Sequence, residues 1–147
     1  MTSLWSRLPL PEQHAAGLVL GLTVDRLSRI RLPSWTRPIG LALGVAGVAV
    51  NAAAVRAHGG GDLDHPSGLI DRGPYAWTRN PMYLGWSMIH LGTALAMRSP
   101  GMVVTWPVAV ALVHRGILAE ERRLAAQFGA EFASYAASVP RYLGRTG

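Results

Sequence analysis

The chain has 147 residues, half of them hydrophobic and 15% charged, with a mean hydropathy of +0.22 and a net charge of +6. That apolar content excludes a disordered chain, and the lack of cysteine excludes a disulfide scaffold and a thiolate metal site. All 14 basic residues are arginine, spread in ones and twos between apolar blocks, which suits membrane flanks and speaks against a nucleic-acid-binding face.

The first apolar stretch, Gln13 to Val24, is followed by Asp25, Arg26, Arg29 and Arg31, with apolar residues continuing at Leu27, Ile30 and Leu32. A spanning helix over residues 13–32 is predicted, its arginines reaching to the interface. The arginines come after the apolar stretch, the reverse of a secretory signal. Three further blocks carry no formal charge: Pro38 to Val55, Asn80 to Met97, and Ser99 to His114. They predict helices over 38–56, 81–97 and 101–118, each close to the roughly 17–25 residues a span needs. All three are apolar on every face, as helices in lipid are. Ser99-Pro100-Gly101 leaves a tight turn, so the last two helices form an antiparallel hairpin.

The expected fold is therefore all-α, one membrane domain of about four transmembrane helices with a cytoplasmic C-terminal helical segment over 119–147. Four spans put both termini on one side, with nine arginines there against five opposite, which assigns that side to the cytoplasm. Arginine in place of lysine, with abundant alanine and glycine, points to a bacterial inner membrane. Gly17–Gly21 and Gly40–Gly44 carry the small-xxx-small spacing of close helix contacts. Packing inside one bundle is favoured over a homodimer face, hence a monomer.

Two polar regions fall on the same predicted side. One enters the third span at Gly73-Pro74-Tyr75-Ala76-Trp77-Thr78-Arg79-Asn80-Pro81, where Asn80 and Pro81 fit an N-cap and first helical position. The exposed N–H groups and Arg79 suit an anion such as a carboxylate, while Tyr75, Trp77, Tyr83 and Trp86 also fit an ordinary aromatic belt. The other runs from Arg115 through Glu120-Glu121-Arg122-Arg123 and continues as a helix through Phe128. Adjacent carboxylates point about 100° apart, so one can face inward while the other faces water. An inward Glu120 holds a cation or acts as a base; a solvated interfacial helix is the plainer alternative. His58, Asp62, Asp64 and His65 lie close together, but their glycine-rich setting lacks a fixed ligand spacing and no metal site is expected. His14, His90 and His114 each stand alone on an apolar helix, where a neighbouring carbonyl is the expected partner.

The stretch from Leu69 to Trp86 resembles the signature of the isoprenylcysteine carboxyl methyltransferase family. Glu120-Glu121-Arg122-Arg123-Leu124, Phe128-Gly129, Phe132, Tyr135 and Val139-Pro140-Arg141 resemble its C-terminal element at the same separation. The resemblance covers roughly residues 67–143 and extends to the small phospholipid N-methyltransferases, which share the motif. It implies S-adenosylmethionine as methyl donor, bound at the cytoplasmic face between the two segments. Carried across by position, cofactor contacts fall at Ser67, Gly68, Leu69, Ile70, Tyr75, Asn80, Pro81, Met82, Tyr83 and Glu120. Glu120, Arg79 and Arg115 are the implied catalytic residues. The prenylcysteine enzymes carry histidine where Ser67 stands, commonly histidine at Asn80, and an arginine at Gly116, one position after Arg115. The implied acceptor is a lipid or other apolar molecule entering from the membrane. Two other readings stand beside this one: an NADPH-dependent membrane reductase, because sterol-reductase C-terminal regions resemble the same motif pair, and a non-catalytic membrane scaffold.

Overall fold

A computed structural model describes residues 12–58 and 69–144. Among these the chain is all-helical: α1 (Glu12–Ser28), α2 (Thr36–His58), a short 3₁₀ turn at Gly73–Ala76, α3 (Pro81–Ala96), α4 (Pro100–Phe128) and α5 (Ala130–Ser138).

Helix α1 stops four residues short of the predicted end. Arg29 adopts a left-handed backbone (φ +56°) and donates its N–H to the carbonyl of Asp25 at 3.0 Å, which closes the last turn. The residues beyond it leave the helix and are stapled to the α3–α4 turn: Leu32 N–H donates to Arg98 O (3.0 Å) and Arg98 Nε to Leu32 O (2.6 Å). The predicted turn between α3 and α4 is present. Ser99 N-caps α4, its hydroxyl accepting from Met102 N–H at 3.0 Å, with Pro100 in the first turn. The helix that follows runs past the predicted end of the span at residue 118 and, as expected for the charged stretch, continues as one helix to Phe128. There Gly129 supplies a left-handed conformation (φ +50°) that lets α5 turn back.

Helix α3 sits at the centre, flanked by α2 and α4, with α1 packed on α4. The glycines explain the close approaches. A Cβ on Gly40 would strike the backbone of Gly92, Leu95 and Ala96, and one on Gly21 would meet Met102 and Gly101 backbone atoms at 2.5–2.7 Å. Both predicted glycine motifs thus face other helices of the same chain. Some of the polar groups buried in the bundle find partners within it, whereas the Asn51 amide and Trp86 Nε1 make no hydrogen bond among the described residues. His14 and His90, each expected to stand alone, have their Nδ1 atoms 3.0 Å apart, and His90 Nε2 reaches Met102 O at 3.2 Å. The carbonyl requires a proton on His90 Nε2, so for neutral rings His14 Nδ1–H is the donor to His90 Nδ1.

Two helices, α2 over Thr36–Ala57 and α4, are long and apolar enough to cross a bilayer; α1 and α3 are shorter, at 17 and 16 residues. Large aliphatic side chains lie exposed along α1 (Val19, Leu20, Val24), α2 (Leu41, Val45, Val48) and α4 (Val104, Val108, Leu112). Apolar surface of this extent outside a packed core is what a lipid environment accommodates.

Candidate active site

The C-terminal end of α2, the N-terminal end of α3 and the far end of α4 meet at one end of the bundle, and the two polar segments separated by some 40 residues come into contact there. The sequence folds this way locally for traceable reasons. Gly73, at φ +60°, and Pro74 start a 3₁₀ turn through Ala76, and Arg72 Nε ties the turn to the last carbonyls of α2 by donating to Ala57 O at 3.2 Å. Pro81 then opens α3.

Glu121 is the hub. Its carboxylate accepts from Arg141 Nη2 (2.8 Å) and Nε (3.1 Å) and from Arg79 Nε (3.2 Å) and Nη2 (3.1 Å). Side-chain exposure is 13% for Glu121, 11% for Arg79 and 37% for Arg141, so the pair with Arg79 is largely shielded from water. Burial pushes the Glu121 carboxyl up, but the hydrogen bonds and charges of Arg141 and Arg79 outweigh it and hold its pKa below the usual carboxylate value. Arg79 has a second duty: its Nη1 donates to Ala136 O (2.8 Å) and Val139 O (3.2 Å) at the end of α5. Its guanidinium is therefore committed to protein acceptors and not directed at an external anion.

The chain after α5 folds across the start of α3. Arg79 N–H donates to Pro140 O (2.9 Å), and both Thr78 Oγ1 (3.0 Å) and Asn80 Nδ2 (3.1 Å) donate to Arg141 O. Asn80 thus holds the N-cap position without capping. Its own N–H is satisfied by Thr78 Oγ1 at 3.2 Å, and its side-chain amide is turned to the C-terminal strap. Tyr135 OH donates to Tyr75 O at 2.8 Å, fixing the aromatic turn from the other side. Burial and the neighbouring Tyr83 push the Tyr75 hydroxyl up to about 12. His114 is not alone either: its Nδ1 lies 2.6 Å from Tyr142 OH.

Of the residues singled out from the sequence, Tyr75, Asn80, Pro81, Met82 and Tyr83 share this end of the bundle, and Leu69 and Ile70 lead into it, half-buried. Glu120 lies one residue from the hub but pairs with Arg123 at 3.2 Å in an exposed i,i+3 bridge. Arg115 is exposed on α4, and a side chain at Gly116 would meet open space. Ser67 and Gly68 lie outside the described residues, as does most of the histidine–aspartate cluster from His58 to His65. Sequence reasoning placed Glu121, Arg141 and Tyr135 in the C-terminal element but gave none of them a role in the site. Glu121 continues the four-residue steps of Ala109, Val113 and Ile117, a buried stripe that becomes visible only in the packed structure.

These features belong to a recognisable lineage. Residues 35–131 match the family model described as phospholipid methyltransferase, and the chain belongs to that family. It is also similar to the protein-S-isoprenylcysteine O-methyltransferases of Tribolium castaneum (27% identical over 115 residues, 71% of this chain), Mus musculus and Homo sapiens (each 29% over 116 residues, 73% of this chain). The chain matches about 40% of the length of each of these relatives.

Proposed function

We propose that this chain, as a four-helix membrane domain, transfers a methyl group from S-adenosylmethionine to a lipid or other apolar acceptor at the cytoplasmic face of a bacterial inner membrane. The observation that carries this reading is the Arg79–Glu121–Arg141 cluster, which ties the start of α3 to the far end of α4 at the end of an otherwise apolar bundle. The donor set there suits the cofactor. Tyr75 and Tyr83 offer ring faces to a sulfonium. The first N–H groups of α3 suit a carboxylate, and the half-buried Glu120 and the amide oxygen of Asn80 suit amino and hydroxyl donors. Bound in this way, S-adenosylmethionine supplies an electrophilic methyl group on a positively charged sulfur.

The chain's own residues then have separable tasks. Arg79, Glu121 and Arg141 position the segments; they do not touch substrate. Glu120 accepts the proton that an amine or hydroxyl nucleophile must lose, and Arg115 offers a cation to an acidic acceptor. Alignment of nucleophile and methyl group supplies most of the acceleration, and the apolar faces of the helices keep the site dry and admit the acceptor from lipid.

Calorimetric titration of the purified protein with S-adenosylhomocysteine, with NADPH in parallel, tests the proposal. Saturable binding of the nucleoside that disappears in Glu120→Ala supports it. Binding of NADPH alone makes the chain a reductase, and binding of neither by folded protein makes it a scaffold.

A further inference from the structure

The opposite end of the bundle carries a feature the methyl-transfer reading does not use. A groove of about 620 Å³ runs between α1 and α4, lined along its length by Leu20, Val24, Val104 and Leu112 and ending at Ser28 and Ile30. From Pro100 to Leu112 it follows α4 for about 18 Å at the helical rise. That is slightly more than half of the roughly 30 Å hydrocarbon core, the depth of one leaflet. The hydroxyl along its floor is closed off, Thr105 Oγ1 donating to Gly17 O at 2.8 Å, so between its two ends the groove presents mainly hydrocarbon.

The rim at the Ser28–Ile30 end is strongly basic. Arg29, Arg31 and Arg98 lie in the two connections that meet there, with Arg26 in the last turn of α1. The acid beside them among the described residues is Asp25, which is buried and accepts the N–H of Gly101 at 2.8 Å instead of neutralising an arginine. Two of these arginines occupy unfavourable backbone positions. Arg29 ends α1 at φ +56° and Arg98 follows α3 at φ +58°, where glycine or asparagine is the usual choice. At Arg98 the side chain is used within the fold, its Nε donating to Leu32 O, whereas no such bond among the described residues accounts for an arginine at Arg29, so its strained position points to a use outside the chain.

We infer that the α1–α4 groove holds one acyl chain of an anionic phospholipid of the leaflet opposite the candidate active site, with its phosphate against Arg29 and the neighbouring arginines. Charge complementarity selects this occupant: an apolar slot one leaflet deep that opens on uncompensated arginines matches a negatively charged headgroup above a hydrocarbon tail. It also accounts for the basic first connection, which otherwise runs against the usual placement of arginine on the cytoplasmic side. The inference rests on the helices being in a membrane and not on methyl transfer.

The test uses the full chain purified in a neutral detergent, with thermal unfolding and native mass spectrometry as readouts, neither of which requires activity. Addition of phosphatidylglycerol raises Tm by about 5 °C more than the same amount of phosphatidylcholine and leaves one bound lipid in the mass spectrum. Arg29→Gly relieves the left-handed strain, so its lipid-free Tm is equal to or above wild type, yet the advantage of phosphatidylglycerol is lost. Val104→Trp fills the groove and removes the response to both lipids; Leu20→Trp does the same from the facing helix should the first variant fail to fold. Equal responses of the wild type to the two lipids overturn the inference. So do reproduction of the shift by glycerol 3-phosphate alone, a response that survives both kinds of substitution, or a dimer that Val104→Trp dissociates.

Discussion

Arg141 covers the carboxylate of Glu121, with Nη2 2.8 Å from Oε2 and Nε 3.1 Å from both oxygens, and thereby anchors the last described segment of the chain to a helix that begins 41 residues earlier. The same carboxylate holds Arg79 at the start of α3. One acid thus joins three parts of the chain, and removing it leaves two arginines without their counter-charge. Glu121→Gln is expected to destabilise the protein by about 3 kcal/mol, because truncating one side of a shielded pair strands the other. Denaturation in detergent against wild type measures it.

The pH dependence of that contribution has a defined sign. The folded Glu121 carboxyl titrates below its ordinary value of 4.5, so its stabilisation is fully present above that pH and is lost as the pH falls through the lower folded value. The stability difference between wild type and Glu121→Gln should therefore be flat from neutral pH down to about 5 and close in stronger acid. Unfolding curves across an acid series report it, and a gap that persists unchanged at the lowest pH contradicts the assignment.

Glu120 and Glu121 should separate cleanly. Glu120→Ala removes a bridge to Arg123 whose side chains are 38% and 64% exposed, so stability changes by no more than about 0.5 kcal/mol. S-adenosylhomocysteine binding should fall at least tenfold in this variant. The opposite pattern, lost stability with unchanged affinity, would assign Glu120 a structural role.

Tyr135→Phe keeps the ring beside Phe132 and deletes only the hydrogen bond to Tyr75 O. A loss of about 1 kcal/mol is expected, together with weaker nucleoside binding as the aromatic turn loosens. In the wild type both tyrosine hydroxyls are pushed up to about 12, chiefly by burial. Their neutral forms stabilise the fold fully below pH 10, and the contribution is lost as the pH rises towards 12. Ultraviolet titration of phenolate formation should show one late-titrating tyrosine fewer in the variant than in the wild type.

The paired glycines of α2 differ in tolerance. A methyl group at Gly40 meets the α3 backbone, whereas one at Gly44 has nothing within 4 Å. Gly40→Ala should be destabilising by about 1–3 kcal/mol, while Gly44→Ala is neutral or slightly stabilising. Thermal unfolding of the two variants compares them directly. By the same reasoning Gly116→Arg should fold normally and gain up to about 1 kcal/mol of helix preference, since open space surrounds that position.

The first four helices and their order were legible from the apolar blocks, and Pro81 and Pro100 marked two starts within a residue, but the separate helix α5 was not foreseen. Nor was the end of α1. Leu27, Ile30 and Leu32 continue the apolar pattern, and the left-handed turn at Arg29 is stabilised by contacts with the α3–α4 turn some 66 residues away.

What the sequence by itself determined is composition-borne: apolar helical blocks, basic connections, and a motif pair whose order and separation mark the family. Which carboxylate faces inward was decided only by tertiary structure. From the buried Ile117, residue 120 lies about 60° to one side of the helix and residue 121 about 40° to the other, a difference too small for periodicity to resolve. The positions of Arg79 and Arg141, brought together from segments 62 residues apart, select Glu121. The same holds for the histidines, whose partners lie on distant segments of the chain and are therefore set by packing and not by local pattern. Long-range pairing of this kind depends on how helices approach one another, and the glycines that permit the approach reveal their partners only once the helices are packed.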